Sequence, residues 1–146
     1  MRYAHTNLIA KDWQKLSHFY QSVFGCIPDG AGRNLSGRWI EQLTGLKDVR
    51  IEGEHLRLPG YDENGPTLEI FSYSSAVSQQ NEINGYGFSH IAFEVKDVDS
   101  TVEILQNHGG SLLGAVVKQD YGPMGTGTFV YAKDPEGNIV EIQSWA

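Results

Sequence analysis

Apolar positions change their period along this chain, and the change happens twice in the same order. From Tyr3 to Ile9 they alternate, which predicts a strand whose side chains point to opposite faces in turn. From Trp13 the spacing becomes helical: Trp13, Leu16, Phe19, Tyr20, Val23 and Phe24 form one stripe, Asp12 offers a cap at its start and Gly25 a stop at its end. In the second half, Phe88 to Val95 reads as a strand, Asp97 as a cap, and Val98, Val102, Ile104 and Leu105 as a stripe that ends at Gly109-Gly110. Three more strands are predicted after each helix. They lie around Cys26 to Pro28, His55 to Leu58 and Thr67 to Ser72, then at Ser111 to Lys118, Thr128 to Ala132 and Asn138 to Ser144. Arg38 to Leu46 has the composition of a short additional helix.

The repeated order is matched by repeated residues. His5-Thr-Asn-Leu-Ile-Ala-Lys-Asp12 aligns with His90-Ile-Ala-Phe-Glu-Val-Lys-Asp97 at an offset of 85, keeping His, Lys and Asp. Gly65-Pro-Thr-Leu-Glu-Ile70 aligns with Gly137-Asn-Ile-Val-Glu-Ile142 at an offset of 72. The first half therefore carries 13 extra residues, and the turn-rich stretch from Gly30 to Gly53 is where they are expected. The reading is α+β: two βαβββ modules, residues 1–76 and 86–146, in one domain of mixed, cupped sheet with helices on the outer face.

Composition narrows the function. Eleven basic against 18 acidic residues give a formal charge of −7, which repels polyanions and argues against nucleic acid as a partner. Charged residues, Gly or Pro interrupt every apolar run before the roughly 18 residues a membrane span needs, so no membrane partner is expected. The single cysteine, Cys26, cannot close an internal disulfide, and Met1-Arg2-Tyr3-Ala4-His5 lacks the apolar stretch of a secretion signal. A cytoplasmic location is the expectation.

Strand parity then singles out four side chains. His5 shares a face with Tyr3 and Asn7, Glu69 with Thr67, Phe71 and Tyr73, His90 with Phe88 and Ala92, and Glu141 with Ile139 and Gln143. The first and last strands of each module thus present one imidazole and one carboxylate, and paired modules would bring all four together. Two carboxylates converging in a partly dehydrated cleft repel unless a cation lies between them or one takes up a proton. Two imidazoles with two carboxylates suit one divalent metal, Zn, Ni or Co first and Mn, Mg or Fe as compatible alternatives, with positions open for substrate.

With these residues in place the chain resembles the vicinal oxygen chelate superfamily over nearly its whole length. The resemblance rests on Phe19-Tyr20 with Phe24-Gly25, on Gly87-Phe-Ser-His-Ile-Ala-Phe-Glu-Val95, and on Asp134-Pro-Glu-Gly-Asn-Ile-Val-Glu141. The His, Glu, His, Glu order is most similar to bacterial glyoxalase I. That resemblance implies metal ligation by His5, Glu69, His90 and Glu141, a lyase or isomerase reaction that moves a proton next to a carbonyl, and Glu141 as the base with Glu69 as the other candidate. It also implies a homodimer. Ile9 and Tyr73 stand where the bacterial enzymes commonly carry the Arg and Asn that hold glutathione, which implies a substrate other than a glutathione adduct. Asn7, Phe71, Tyr73, Phe88 and Gln143 are the expected substrate contacts. The alternatives within the superfamily are an epimerase of acyl-CoA thioesters, an Fe(II) extradiol-type dioxygenase and a non-catalytic drug-binding resistance protein.

Other features carry less chemistry. Gly122-Pro-Met-Gly-Thr-Gly-Thr128 lacks the Lys-Ser/Thr of a phosphate loop and reads as a turn between strands near the cup. His18 falls on the polar side of its helix, His108 near a helix end, and His55 on a strand where a surface place is expected, with the cleft as the alternative. Cys26 reads as a small apolar residue, and Trp39 as a cap or an anchor for the extra segment.

Overall fold

In the computed structural model, which describes residues 1–78 and 81–146, the chain is α+β and forms two compact units, Met1–Ser78 and Gln79–Ala146. The first contains β1 (His5–Ile9), α1 (Trp13–Phe24), β2 (Ile27–Pro28), β3 (Arg33–Leu35), α2 (Arg38–Thr44), β4 (Ile51–Arg57) and β5 (Thr67–Tyr73). The second contains β6 (His90–Glu94), α3 (Val98–Asn107), β7 (Ser111–Leu112), β8 (Val117–Asp120), β9 (Thr126–Lys133) and β10 (Ile139–Trp145), with a 3-10 turn at Gly122–Met124.

Both helices begin and lie as their sequences dictate. Asp12 Oδ1 accepts the Lys15 N–H at 3.0 Å and Asp97 Oδ1 the Ser100 N–H at 2.6 Å, so each aspartate satisfies an amide that a helix start leaves without a partner. The Ser100 bonds hold the exposed Asp97 carboxyl below the usual carboxylate range. Gly25 closes α1 in the left-handed region, at φ 70°, and its N–H returns to the Gln21 carbonyl. The stripe Leu16, Phe19, Tyr20 and Phe24 is buried, and α1 packs on β4 and β5. Cys26, directly after the helix, is buried as an apolar residue would be, and burial pushes its thiol up to about 12.

Each unit repeats one sheet plan. In the first, the order is β1-β5-β4-β2 with β3 also on β4; in the second, β6-β10-β9-β7 with β8 also on β9. First and last strands run parallel, the others antiparallel. The registers superimpose. His5 opposes Thr67 and His90 opposes Ile139, so in both units the glutamate, Glu69 or Glu141, sits two residues beyond the residue facing the histidine.

The same registers correct two expectations. The single strand expected over Ser111 to Lys118 is broken into β7 and β8, because the Leu113 and Gly114 amides both turn to the Tyr131 carbonyl. The first unit has the same break, where the Asp29 amide meets the His55 carbonyl at 2.8 Å. The extra residues of the first half are also more dispersed than Gly30 to Gly53. The pairs Arg33–Gly53 and Val117–Phe129 align β3 with β8 at an offset of 84 and β4 with β9 at 76, so eight extra residues lie between β3 and β4, around α2. Four more lie in the turn between β4 and β5, where the offset falls to 72.

The turn between β9 and β10 sets how β10 enters the second sheet. Asp134 is 3% exposed, and its carboxylate accepts the amides of Glu136 and Asn138, each at 2.9 Å, and the Asn138 side-chain amide at 2.8 Å. Replacing Asp134 with Ala strands these donors, and we expect a loss of about 3 kcal/mol in urea unfolding, with partial recovery in Asp134→Asn. A change below about 0.5 kcal/mol, the scale of an ordinary surface substitution, would show that the turn holds without this carboxylate.

Candidate functional site

In the first unit, parity divides β4 between two environments. Glu54 and Leu56 face α1: the Ser17 hydroxyl donates to Glu54, and Leu56 lies opposite Leu68 among buried side chains. Ile51, Gly53 and His55 therefore face the other side, together with Glu69, Phe71 and Tyr73 of β5. Gly53 has no alternative there. A Cβ would run into the Ile70 carbonyl and the Phe71 ring, so the bare backbone is what lets that ring lie against the sheet.

On this face the extra segment builds its own small core. Ile40 of α2, Val49, Ile51 and Phe71 are all buried, with Leu35 and Tyr73 packed against them. Beside that core opens a cavity of about 460 Å³, lined by His5, Asn7, Glu69, His55 and Arg33 at its polar parts and by apolar residues that include Trp39 and Leu43.

The polar part is centred on Glu69. Its Oε2 lies 3.4 Å from His5 Nε2 and accepts the Asn7 side-chain amide at 3.1 Å, while its Oε1 lies 3.1 Å from His55 Nε2. The other His55 nitrogen, Nδ1, is 3.1 Å from the Thr67 hydroxyl. Burial holds His55 below the ordinary imidazole range against the opposing pull of the Glu69 carboxylate, which favours the neutral ring.

The second unit holds the equivalent pair with fewer partners. His90 Nε2 is 3.0 Å from Glu141 Oε2, and the edge of Tyr131 meets the His90 ring at a centroid distance of 5.1 Å. Among the described residues, the Glu141 carboxylate has no hydrogen bond or ion pair other than that with His90.

Each of the four expected ligands is thus placed next to its module partner. Within a unit, one imidazole nitrogen and one carboxylate oxygen face each other at short range on neighbouring strands, a donor set that suits a borderline divalent ion. Among the described residues, no three His, Cys, Asp or Glu side chains are grouped to hold an ion by themselves. Of the expected substrate contacts, Asn7, Phe71 and Tyr73 line the cavity. Gln143 instead accepts a hydrogen bond from the Trp145 indole at 3.3 Å. Phe88 stands ahead of β6 beside Gly87, whose φ of 114° turns the chain, and is fully exposed.

Sequence reasoning favoured a surface place for His55 and kept the cleft as the alternative; it lies in the cavity beside Glu69. Its register partner was the available signal: His55 faces Glu69 as Tyr131 faces Glu141, so the repeat extended to β4 marks the position. Trp39 lines the cavity while remaining half exposed. His108 Nδ1 donates to the Ile104 carbonyl, 2.8 Å away at the end of α3, and His18 is exposed on α1. The glycine-rich stretch forms the 3-10 turn and then enters β9 at Thr126, earlier than expected. No helix among the described residues is long and apolar enough to cross a membrane.

The family model described as Glyoxalase/Bleomycin resistance protein/Dioxygenase superfamily matches residues 2–142. A Synechocystis protein described as a probable lactoylglutathione lyase is 38% identical over 140 residues, 94% of this chain and 91% of that protein. Among solved structures, a glyoxalase family protein from Bacillus cereus aligns with a TM-score of 0.86 at 19% identity, over 99% of this chain and 94% of the other. The genomically encoded fosfomycin resistance protein FosX from Listeria monocytogenes aligns with a TM-score of 0.65 at 20% identity, over 100% and 94%. At those identities the structural likeness speaks for the fold.

Proposed function

The chain belongs to the glyoxalase/bleomycin resistance protein/dioxygenase superfamily, and on that premise we propose that it is a divalent-metal-dependent lyase or isomerase of the glyoxalase I type. The ligands in this reading are His5, Glu69, His90 and Glu141, and they hold one Zn, Ni or Co ion. The observation that carries it is the repeated placement of a His–Glu pair, at 3.4 Å in one unit and 3.0 Å in the other, at the same strand register. The likeness to the Synechocystis protein supports the same reaction class.

When bound, a divalent cation supplies the positive charge that stabilises negative charge developing on a substrate oxygen as a neighbouring carbon loses its proton. The chain's residues do the rest. Glu141 takes that proton and returns it to the same or the adjacent carbon, so isomerisation and epimerisation differ only in the return site. Glu69, held at both oxygens, stays in place as a ligand. Phe71 and Tyr73 form apolar wall beside Glu69 and exclude water from the substrate. Ile9 and Tyr73 offer no charge to a glutathione carboxylate, which favours a smaller or less polar substrate.

The test is proton exchange. Protein loaded with Zn, Ni or Co is incubated in deuterated buffer with hemithioacetals, acyl-CoA thioesters and small 2-oxo compounds. Metal-dependent deuterium uptake next to the carbonyl of one class is the expected result. Tight binding of a ligand by metal-free protein, with no exchange in any class, would identify a non-catalytic binder instead.

A further inference from the structure

The two units place different residues opposite their glutamates, and the difference bears on what each glutamate can do. His55 stands directly across from Glu69 in the β4–β5 ladder, and Tyr131 stands directly across from Glu141 in the β9–β10 ladder. His55 reaches the carboxylate, with its Nε2 at 3.1 Å from Glu69 Oε1. Tyr131 turns its ring onto His90 instead and brings no hydrogen bond to Glu141. Equivalent positions in a repeat thus hold a clamp on the carboxylate in one unit and an edge-on ring against the histidine in the other.

We infer that His55 is a positioning residue for Glu69: it occupies Oε1 of that carboxylate, so that Glu69 presents only Oε2, beside His5, to the metal. This rests on the metal reading proposed above. The ring is itself held from two directions. A neutral imidazole has one N–H and one lone pair, and the neighbours assign them: Nε2–H donates to Glu69, and Nδ1 accepts from the Thr67 hydroxyl. The edge of the ring meets Phe71, with centroids 5.8 Å apart, and the side chain is 20% exposed against 46% for His5. With His55 Nε2 committed to Oε1, and the Asn7 amide holding Oε2 beside His5, the carboxylate is kept from rotating while Oε2 still faces the metal. A ligand oriented in this way binds metal more tightly because its geometry is fixed before the ion arrives.

Cobalt(II) titration followed by visible absorption tests this with the full-length chain. Losing an orienting partner of this kind costs about 10–100-fold in metal affinity, and that is expected for His55→Leu. His55→Gln, whose amide can donate to the same oxygen, is expected to regain most of the loss, and Thr67→Val to show a smaller one. At saturation the cobalt spectrum of each variant is expected to match wild type, because no ligand has been removed. Circular dichroism and thermal melting confirm that each variant is folded. Unchanged affinity in folded His55→Leu, or a saturated spectrum showing one nitrogen ligand fewer, would overturn the inference while leaving the metal reading standing. A wild-type protein that takes up no cobalt would remove the metal reading and this inference together.

Discussion

Glu141→Gln is expected to lower deuterium uptake at the substrate carbon by about 10²–10⁴-fold, the usual contribution of a positioned acid–base group. The amide cannot accept the proton, although its oxygen can still face the metal. Glu69→Gln is expected to fail differently. Glu69 anchors His5, Asn7 and His55 through its two oxygens, and an amide can accept at only one of them. The principal loss there is metal affinity, and saturating metal should restore part of the exchange. Measuring exchange at limiting and at saturating metal separates the two. Equal, metal-independent losses in both variants would contradict the division of labour between base and ligand. Undiminished exchange in Glu141→Gln would rule that residue out as the base.

Withdrawing the metal is expected to have an effect of similar size. Lewis-acid stabilisation of several kcal/mol corresponds to a loss of about 10³-fold in turnover, at roughly 1.4 kcal/mol per tenfold. Dialysis against a chelator should therefore all but abolish exchange, and added Zn, Ni or Co should return it. Activity that survives complete chelation would place the chemistry elsewhere in the chain.

Much of the fold was legible because the sequence states it twice. The strand-to-helix change of period, the Asp caps and the His and Glu positions recur at fixed offsets, and both ladders reproduce them at equal register. The short helix at Arg38–Thr44 was likewise readable from composition. What stayed hidden depended on contacts across strands. Ile51-Glu-Gly-Glu-His-Leu-Arg57 gives no clear apolar side, because Glu54 on the helix-facing side is satisfied by the Ser17 hydroxyl and Gly53 leaves a gap on the other. Alternation alone could not turn His55 inward. The breaks between β2 and β3 and between β7 and β8 were equally unreadable, since they arise from backbone bonds to the next strand: the Asp29 amide on the His55 carbonyl in the first unit, the Leu113 and Gly114 amides on the Tyr131 carbonyl in the second. Phe88 shared its parity with His90, but the strand starts only at His90, and parity has no meaning before it.

The central claim is that His5, Glu69, His90 and Glu141 act on one shared ion, and metal content of the purified chain tests it most directly. Elemental analysis after loading and desalting should give about one divalent equivalent per chain for the wild type and only a small fraction of one for each of His5→Ala, Glu69→Ala, His90→Ala and Glu141→Ala, because an open catalytic site depends on every protein ligand. A full equivalent retained by any folded member of that set, or none in the wild type, would contradict it.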